Sequence, residues 1–73
     1  MTNELKQALL ILRRKQVEDR TGLKRSTLYT RIDPRSKYFD PAFPKPVKLG
    51  ANAIGWIAEE IEAWIRSRID SRD

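Results

Sequence analysis

No cysteine and no histidine occur in this 73-residue chain. The first absence excludes disulfides and thiolate zinc sites, and the second excludes imidazole-based nucleophilic relays. A small disulfide-free chain suits a reducing cytosol. Long apolar runs are missing too. The longest near the start, residues 8–12, is far too short to cross a bilayer, and no signal-peptide pattern precedes it, so a cytoplasmic location is expected. There is no glycine-rich phosphate loop, internal repeat or low-complexity tract. These gaps predict no enzyme, no metal, no cofactor, no small-molecule substrate and no membrane attachment. The length predicts one small domain over residues 1–73, whose core contributes only a few kcal/mol, so most apolar residues must be structural.

What is abundant is positive charge. Lys and Arg number 15 against 10 Asp and Glu, a net +5. Residues 1–37 hold ten basic and four acidic residues, net +6; residues 56–73 hold three basic and five acidic, net −2. The excess is concentrated in the first half of the chain, as in a polyanion binder, although solubility alone also produces such a net charge.

Residues 1–7 are polar and read as frayed or loosely helical. Residues 8–12 bring the chain over the core as either a short strand or a helical turn; periodicity does not choose over so short a run. Arg14 to Arg20 reads as a helix with Val17 as its core contact, ended by Gly22, which takes the left-handed conformation without a Cβ penalty. Lys24 to Ile32 reads as a second helix, with Leu23, Leu28 and Ile32 inward. Pro34 stops it by pushing residue 33 out of the α region. Two short helices about a glycine turn are the plan of a helix-turn-helix, whose second helix enters the DNA major groove.

Residues 33–46, DPRSKYFDPAFPKP, hold all four prolines and read as an ordered loop pinned by Tyr38, Phe39 and Phe43. Val47 to Leu49 and Ile54 to Trp56, separated by Gly50-Ala51-Asn52-Ala53, read as a hairpin. Residues 57–69 give the strongest helical spacing, through Ile57, Ile61, Trp64 and Ile65. Glu59, Glu60 and Glu62 sit near its start and Arg66 and Arg68 near its end, both favourable to the helix dipole. Trp56 and Trp64 fall on the apolar pattern and are assigned to the core. The expected fold is mainly α with a small β-hairpin, a winged helix-turn-helix: helix-turn-helix 14–32, loop 33–46, wing 47–56 and C-terminal helix 57–69.

Four hydroxyl residues crowd the second helix, where Ser and Thr add little helix stability. Arg25, Ser26, Thr27 and Thr30 are the candidate base readers: an Arg guanidinium matches guanine O6 and N7, and Thr methyls match a thymine methyl. Arg31 and Tyr29 are candidates for backbone phosphates, with Tyr29 equally readable as core. Arg13, Arg14 and Lys15, at the start of the first helix, read as phosphate anchors or as a solvated charge run. Lys45 and Lys48 flank the first wing strand as further phosphate contacts. Asn52 marks the wing tip, where it either touches DNA or merely makes the turn with Gly50.

The runs RRKQVEDRTGLKRSTLYTRI, FPKPVKLG and AIGWIAEEIEAWI, in that order, resemble the AlpA family of phage and prophage regulators, within the excisionase-like (MerR-like) winged-helix group. The resemblance implies a transcriptional regulator of prophage or integrative-element genes that controls an integrase or excision function. It maps a recognition helix onto 24–32 and a wing onto 47–56. Three departures stand out. Lys24 occupies a position where relatives place a small capping residue, which leaves it for a phosphate; Asn52 occupies one where many carry Arg; and the loop Asp33 to Phe43 exceeds that of the shortest members, adding a contact through Arg35 or Lys37 or only repositioning the wing.

The expected partner is double-stranded DNA, with self-association on adjacent half-sites or a recombinase or transcription partner supplying further selectivity. Two rivals remain: an architectural excision factor that bends DNA, and a protein-interaction module that uses the last helix to sequester a regulator.

Overall fold

Leu12, Val17, Leu28, Trp56 and Ile61 come from five different segments of the chain, and all five side chains are fully buried together. The computed structural model describes residues 10–72, so the expectations for residues 1–9 lie outside it. The elements run β1 (Ile11–Leu12), α1 (Arg14–Thr21), α2 (Arg25–Ile32), β2 (Val47–Gly50), β3 (Ala53–Ile57) and α3 (Ala58–Asp70). This is the winged helix-turn-helix expected, with one strand added. β1 pairs antiparallel with β3, Ile11 opposite Ile57 and Leu12 opposite Trp56, so the wing hairpin becomes a three-stranded sheet of order β1-β3-β2. The undecided apolar run is thus a strand at its end, and Leu10 extends the tie by accepting the Ala58 N–H at 2.9 Å.

The turn between α1 and α2 is built by two residues. Gly22 caps α1 at φ 76° and ψ 5°, and its N–H donates to the Glu18 carbonyl at 2.8 Å. Thr21 clips the same corner: its hydroxyl donates to the Val17 carbonyl at 2.8 Å and accepts the Leu23 N–H at 3.2 Å. Leu23 and Ile32 pack half-buried against the core beneath. Helix α2 begins at Arg25 rather than Lys24. Lys24 is its N-cap, with extended backbone (φ −79°, ψ 163°), and its side chain has no acceptor with which to cap. Helix α3 likewise begins one residue later than expected, because Ile57 ends β3 while capping the helix.

The wing carries a bulge. Lys48 pairs with Ile54 but Gly50 pairs with Ala53, leaving Leu49 as the extra residue. Ala51 and Asn52 form the tip. Gly22 is the only described residue with positive φ, so Gly50 is not required by the turn's conformation, contrary to its reading as a turn-maker. In the sheet the glycine that packing requires is Gly55, in the middle of the central strand. A Cβ there would lie 2.6 Å from Ile11 Cγ2, 3.1 Å from Leu49 Cδ1 and 3.2 Å from the Leu12 carbonyl oxygen. The sheet closes on β1 because that side chain is missing.

The proline loop is held by both tryptophans. The fully buried Trp56 donates its indole N–H to the Pro44 carbonyl at 3.2 Å, and Trp64 donates to Asp40 Oδ2 at 3.1 Å. Phe43 packs edge-on to Trp64, centroids 4.9 Å apart and planes at 75°. Of the three aromatics expected to pin the loop, only Phe43 does so. Phe39 and Tyr38 are exposed, because Asp40 and Phe43 already tie the loop to α3. No helix among the described residues is long and apolar enough to cross a membrane.

Gly55→Ala is expected to destabilise the fold by about 1–3 kcal/mol through overpacking against β1. Gly50→Ala, whose Cβ meets nothing within 4 Å, is expected to stay within about 0.5 kcal/mol of the parent. Urea unfolding of the two variants tests this; equal effects would refute the assignment of Gly55 as the close-approach point.

Candidate nucleic-acid interface

Leu28 is completely buried, which sets the rotation of α2. At about 100° per residue, positions two before and two after it face away from the core. Those positions are Ser26 and Thr30, so hydroxyls centre the outward face. Tyr29 flanks that face on one side and Thr27 on the other, and Arg25 projects from the first turn on the Tyr29 side. Arg25 and Ser26 are exposed, while Thr27 and Thr30 are half-buried. The Thr30 hydroxyl donates to the Thr27 carbonyl at 2.7 Å. Its oxygen is turned back on the helix, leaving the methyl as the group it offers. Tyr29 is exposed, so its alternative reading as core does not hold.

The Tyr29 flank opens into a groove of about 320 Å³ lined by Arg13, Arg14, Lys15, Tyr29, Asn52 and Ile54. Four regions distant in sequence meet here: the start of α1, the middle of α2, the wing tip and β3. Arg13 bridges two of them, donating its Nε–H to the Ile54 carbonyl at 3.0 Å. Gln16 makes half of a capping box by accepting the Arg13 N–H at 2.8 Å; the other half is closed to Arg13, whose guanidinium accepts nothing. Arg14 is paired with Glu18 one turn on, which shares its charge. Lys48 lies across the ladder from Ile54 and so falls on the face that Ile54 lines.

Electrostatically, α1 and α2 run against their own dipoles at their starts, although Arg20 and Arg31 in their last turns follow the ordinary rule. Neither has an acidic residue in its first turn; α1 opens with Arg13, Arg14 and Lys15, and α2 with Lys24 and Arg25. Cations at a helix N-terminus are unfavourable, and an anion there relieves them. Helix α3 follows the ordinary rule, with Glu59 and Glu60 in its first turn and Arg68 in its last. The inverted pattern is confined to the two helices of the helix-turn-helix.

The Thr27 flank faces the proline loop. Ser26, Thr27, Thr30, Arg31 and Tyr38 line a second pocket of about 320 Å³. Tyr38 is positioned by a chain of turns: Ser36 N–H to the Asp33 carbonyl at 2.9 Å, Tyr38 N–H to Ser36 Oγ at 3.0 Å, and Asp40 N–H to the Arg31 carbonyl at 2.9 Å. The last bond ties the loop to the C-terminal turn of α2.

Asp40 is the hub. Besides Trp64, its carboxylate accepts the Ala42 N–H at 2.9 Å. Burial raises the Asp40 pKa, but the Trp64 and Ala42 hydrogen bonds and the charges of Arg31 and Arg68 outweigh it, and the net shift is downward. Arg31, expected on phosphate, is half-buried beside this anchor, with its Nε buried and unpartnered. Asp33 is also held below the usual range, first by the Arg35 backbone N–H. Arg35 itself rests on Asp33 at 3.4 Å.

The structure therefore gathers Arg13, Arg14, Lys15, Tyr29 and Asn52 at one flank of α2 and Ser26, Thr27, Thr30 and Arg31 at the other. Lys45 joins neither; it lines a groove against α3 with Glu60 and Trp64. Sequence reasoning passed over Asp40 and placed Tyr38 against the body. The local cue for Asp40, an Asp before Pro41, indicates only a turn.

The family model described as "Prophage CP4-57 regulatory protein (AlpA)" matches residues 10–69. A relative from Escherichia coli (strain K12), named "DNA-binding transcriptional activator AlpA", is 41% identical over 61 residues, covering 84% of this chain and 87% of that protein. No solved structure matches.

A lowered folded-state pKa means that ionised Asp40 stabilises the fold. That contribution is present above the ordinary value of 3.8 and is lost as pH falls through the lowered folded value. Asp40→Asn is expected to lower stability at neutral pH and to lose less than the parent on acidification. Denaturant midpoints followed from about pH 7 to about pH 2 check this; parallel curves would remove Asp40 from the anchor.

Proposed function

The chain belongs to the AlpA family of prophage regulatory proteins, and on that footing we propose that it is a sequence-specific DNA-binding regulator of transcription, acting on genes of a prophage or integrated element. The observation that carries the reading is the reversal of charge at the two helix starts on either side of an exposed hydroxyl face. A free protein gains nothing from cations at helix N-termini; a protein seated on a phosphodiester backbone does.

In this reading α2 lies in the major groove. Arg25, Ser26, Thr27 and Thr30 meet base edges, and Arg25 is the residue with reach and charge for a bidentate contact to guanine. Arg13, Arg14, Lys15, Lys24, Tyr29 and Lys48 hold phosphates on the wing side, with Asn52 at the tip against the backbone or the adjoining minor groove. Arg31 steadies the loop and contributes field rather than a direct contact. Lys45 is given no contact. Residues 1–73 act as one DNA-binding domain without catalytic activity. Few side chains reach bases, so selectivity comes from a second copy on an adjacent half-site or from a protein partner. The architectural alternative uses the same surface and differs in its product, a bent duplex; a bending assay on the selected site separates the two.

Selection of bound sites from a random duplex pool at two salt concentrations tests the proposal. An enriched motif supports it, and salt-insensitive or absent binding refutes it. On the selected site, Arg25→Ala is expected to cost about 1–3 kcal/mol and relax the preference at one base pair. Lys15→Ala should weaken specific and random duplexes alike and reduce the salt slope by about 0.9. The two outcomes exchanged would reverse the roles.

A further inference from the structure

We propose that the pocket between α2 and the proline loop is a thymine-reading site, with Tyr38 as a specificity-determining wall; this rests on the DNA-binding reading above and adds to it a residue outside the helix-turn-helix. The pocket is lined by Ser26, Thr27, Thr30, Arg31 and Tyr38 and has a volume of about 320 Å³. Its chemistry is mixed in a particular way. Thr30 has its hydroxyl bonded to the Thr27 carbonyl and presents its methyl. Tyr38 is exposed, the most open of the described large hydrophobic residues. Ser26, on the outermost line of the helix, is exposed and keeps its hydroxyl available to a ligand. In the major groove thymine alone places a C5 methyl beside the O4 acceptor. The methyl fits the Tyr38 ring and the Thr methyls, and the Ser26 hydroxyl donates to O4.

Tyr38 is suited to this because the backbone on both sides of it is hydrogen-bonded in place. Its N–H is bonded to Ser36 Oγ, Asp40 ties the next turn to the end of α2, and the Lys37 ammonium sits 5.4 Å from the ring centroid. The wall is thus indexed to the helix that it flanks. Lys37 adds positive charge over the ring.

The test replaces each thymine of the selected duplex in turn by deoxyuridine, which removes the methyl and nothing else. For the parent protein, one position is expected to lose about fourfold in affinity, the value of one buried methyl group. Tyr38→Ala should lose most of the thymine-over-deoxyuridine preference at that position, the Thr methyls keeping the remainder, whereas Tyr38→Phe should retain it. Tyr38 is exposed, so neither change threatens folding. A bound duplex with no methyl-sensitive position, or the same sensitivity in Tyr38→Ala, overturns the site while leaving the DNA-binding reading intact. Loss in Tyr38→Phe equal to that in Tyr38→Ala assigns the residue to a phosphate through its hydroxyl and overturns the site. Failure to bind any duplex overturns both.

Discussion

The loop flank of α2 depends on how one aspartate is held. Asp40 accepts hydrogen bonds from the Trp64 indole and the Ala42 backbone, and donates its own N–H to the Arg31 carbonyl at the end of α2. One residue thereby joins the last helix, the proline loop and the last turn of α2. Trp56 does the same for the far end of the loop through the Pro44 carbonyl. The two indoles leave fourteen residues without regular structure very little freedom, because their N–H groups need partners once buried and the loop carbonyl and carboxylate supply them. The prolines make this cheap in entropy, since their φ angles are already restricted.

That anchoring explains how so small a molecule carries an unfavourable charge pattern. Five cations crowd the starts of α1 and α2 with no acid in either first turn. The compensation within the chain is partial: Glu18 holds Arg14, and Gln16 accepts the Arg13 N–H as a one-sided cap. Helix α3 carries the acidic N-terminus and one indole anchor, Trp64, and the other, Trp56, sits on β3 just before it, so the anchoring is concentrated in the C-terminal third and the positive charge in the helix-turn-helix. The division is visible along the chain as a net +6 in residues 1–37 and −2 in residues 56–73.

Much of this was legible from residue order. The helices, the glycine turn and the core roles of Val17, Leu28, Trp56 and Ile61 follow from periodicity and punctuation, which act locally. The third strand did not, because Ile11 and Leu12 are too few to show a period and become a strand only by pairing with β3. Nor did the importance of Gly55. Gly50 sits where a turn glycine is expected, whereas Gly55 is needed only because β1 approaches it from more than forty residues away in sequence. Tyr38 and Phe43 look alike as loop aromatics, and only the position of Trp64 separates the buried one from the exposed one.

By itself the sequence determined the winged helix-turn-helix plan and the surplus of cations and hydroxyls along α2, because hydrophobic period, caps and charge are properties of neighbouring residues. The tertiary structure alone decided which of those residues share a flank. Arg13, Tyr29 and Asn52 meet because a helix start, a helix middle and a strand turn converge through the Arg13–Ile54 bond. Tyr38 reaches α2 because Asp40 fixes the loop against the helix end. Such contacts join segments whose separation in sequence carries no local signal, and their placement is set by the packing of Trp56 and Trp64 rather than by any pattern a reader could count.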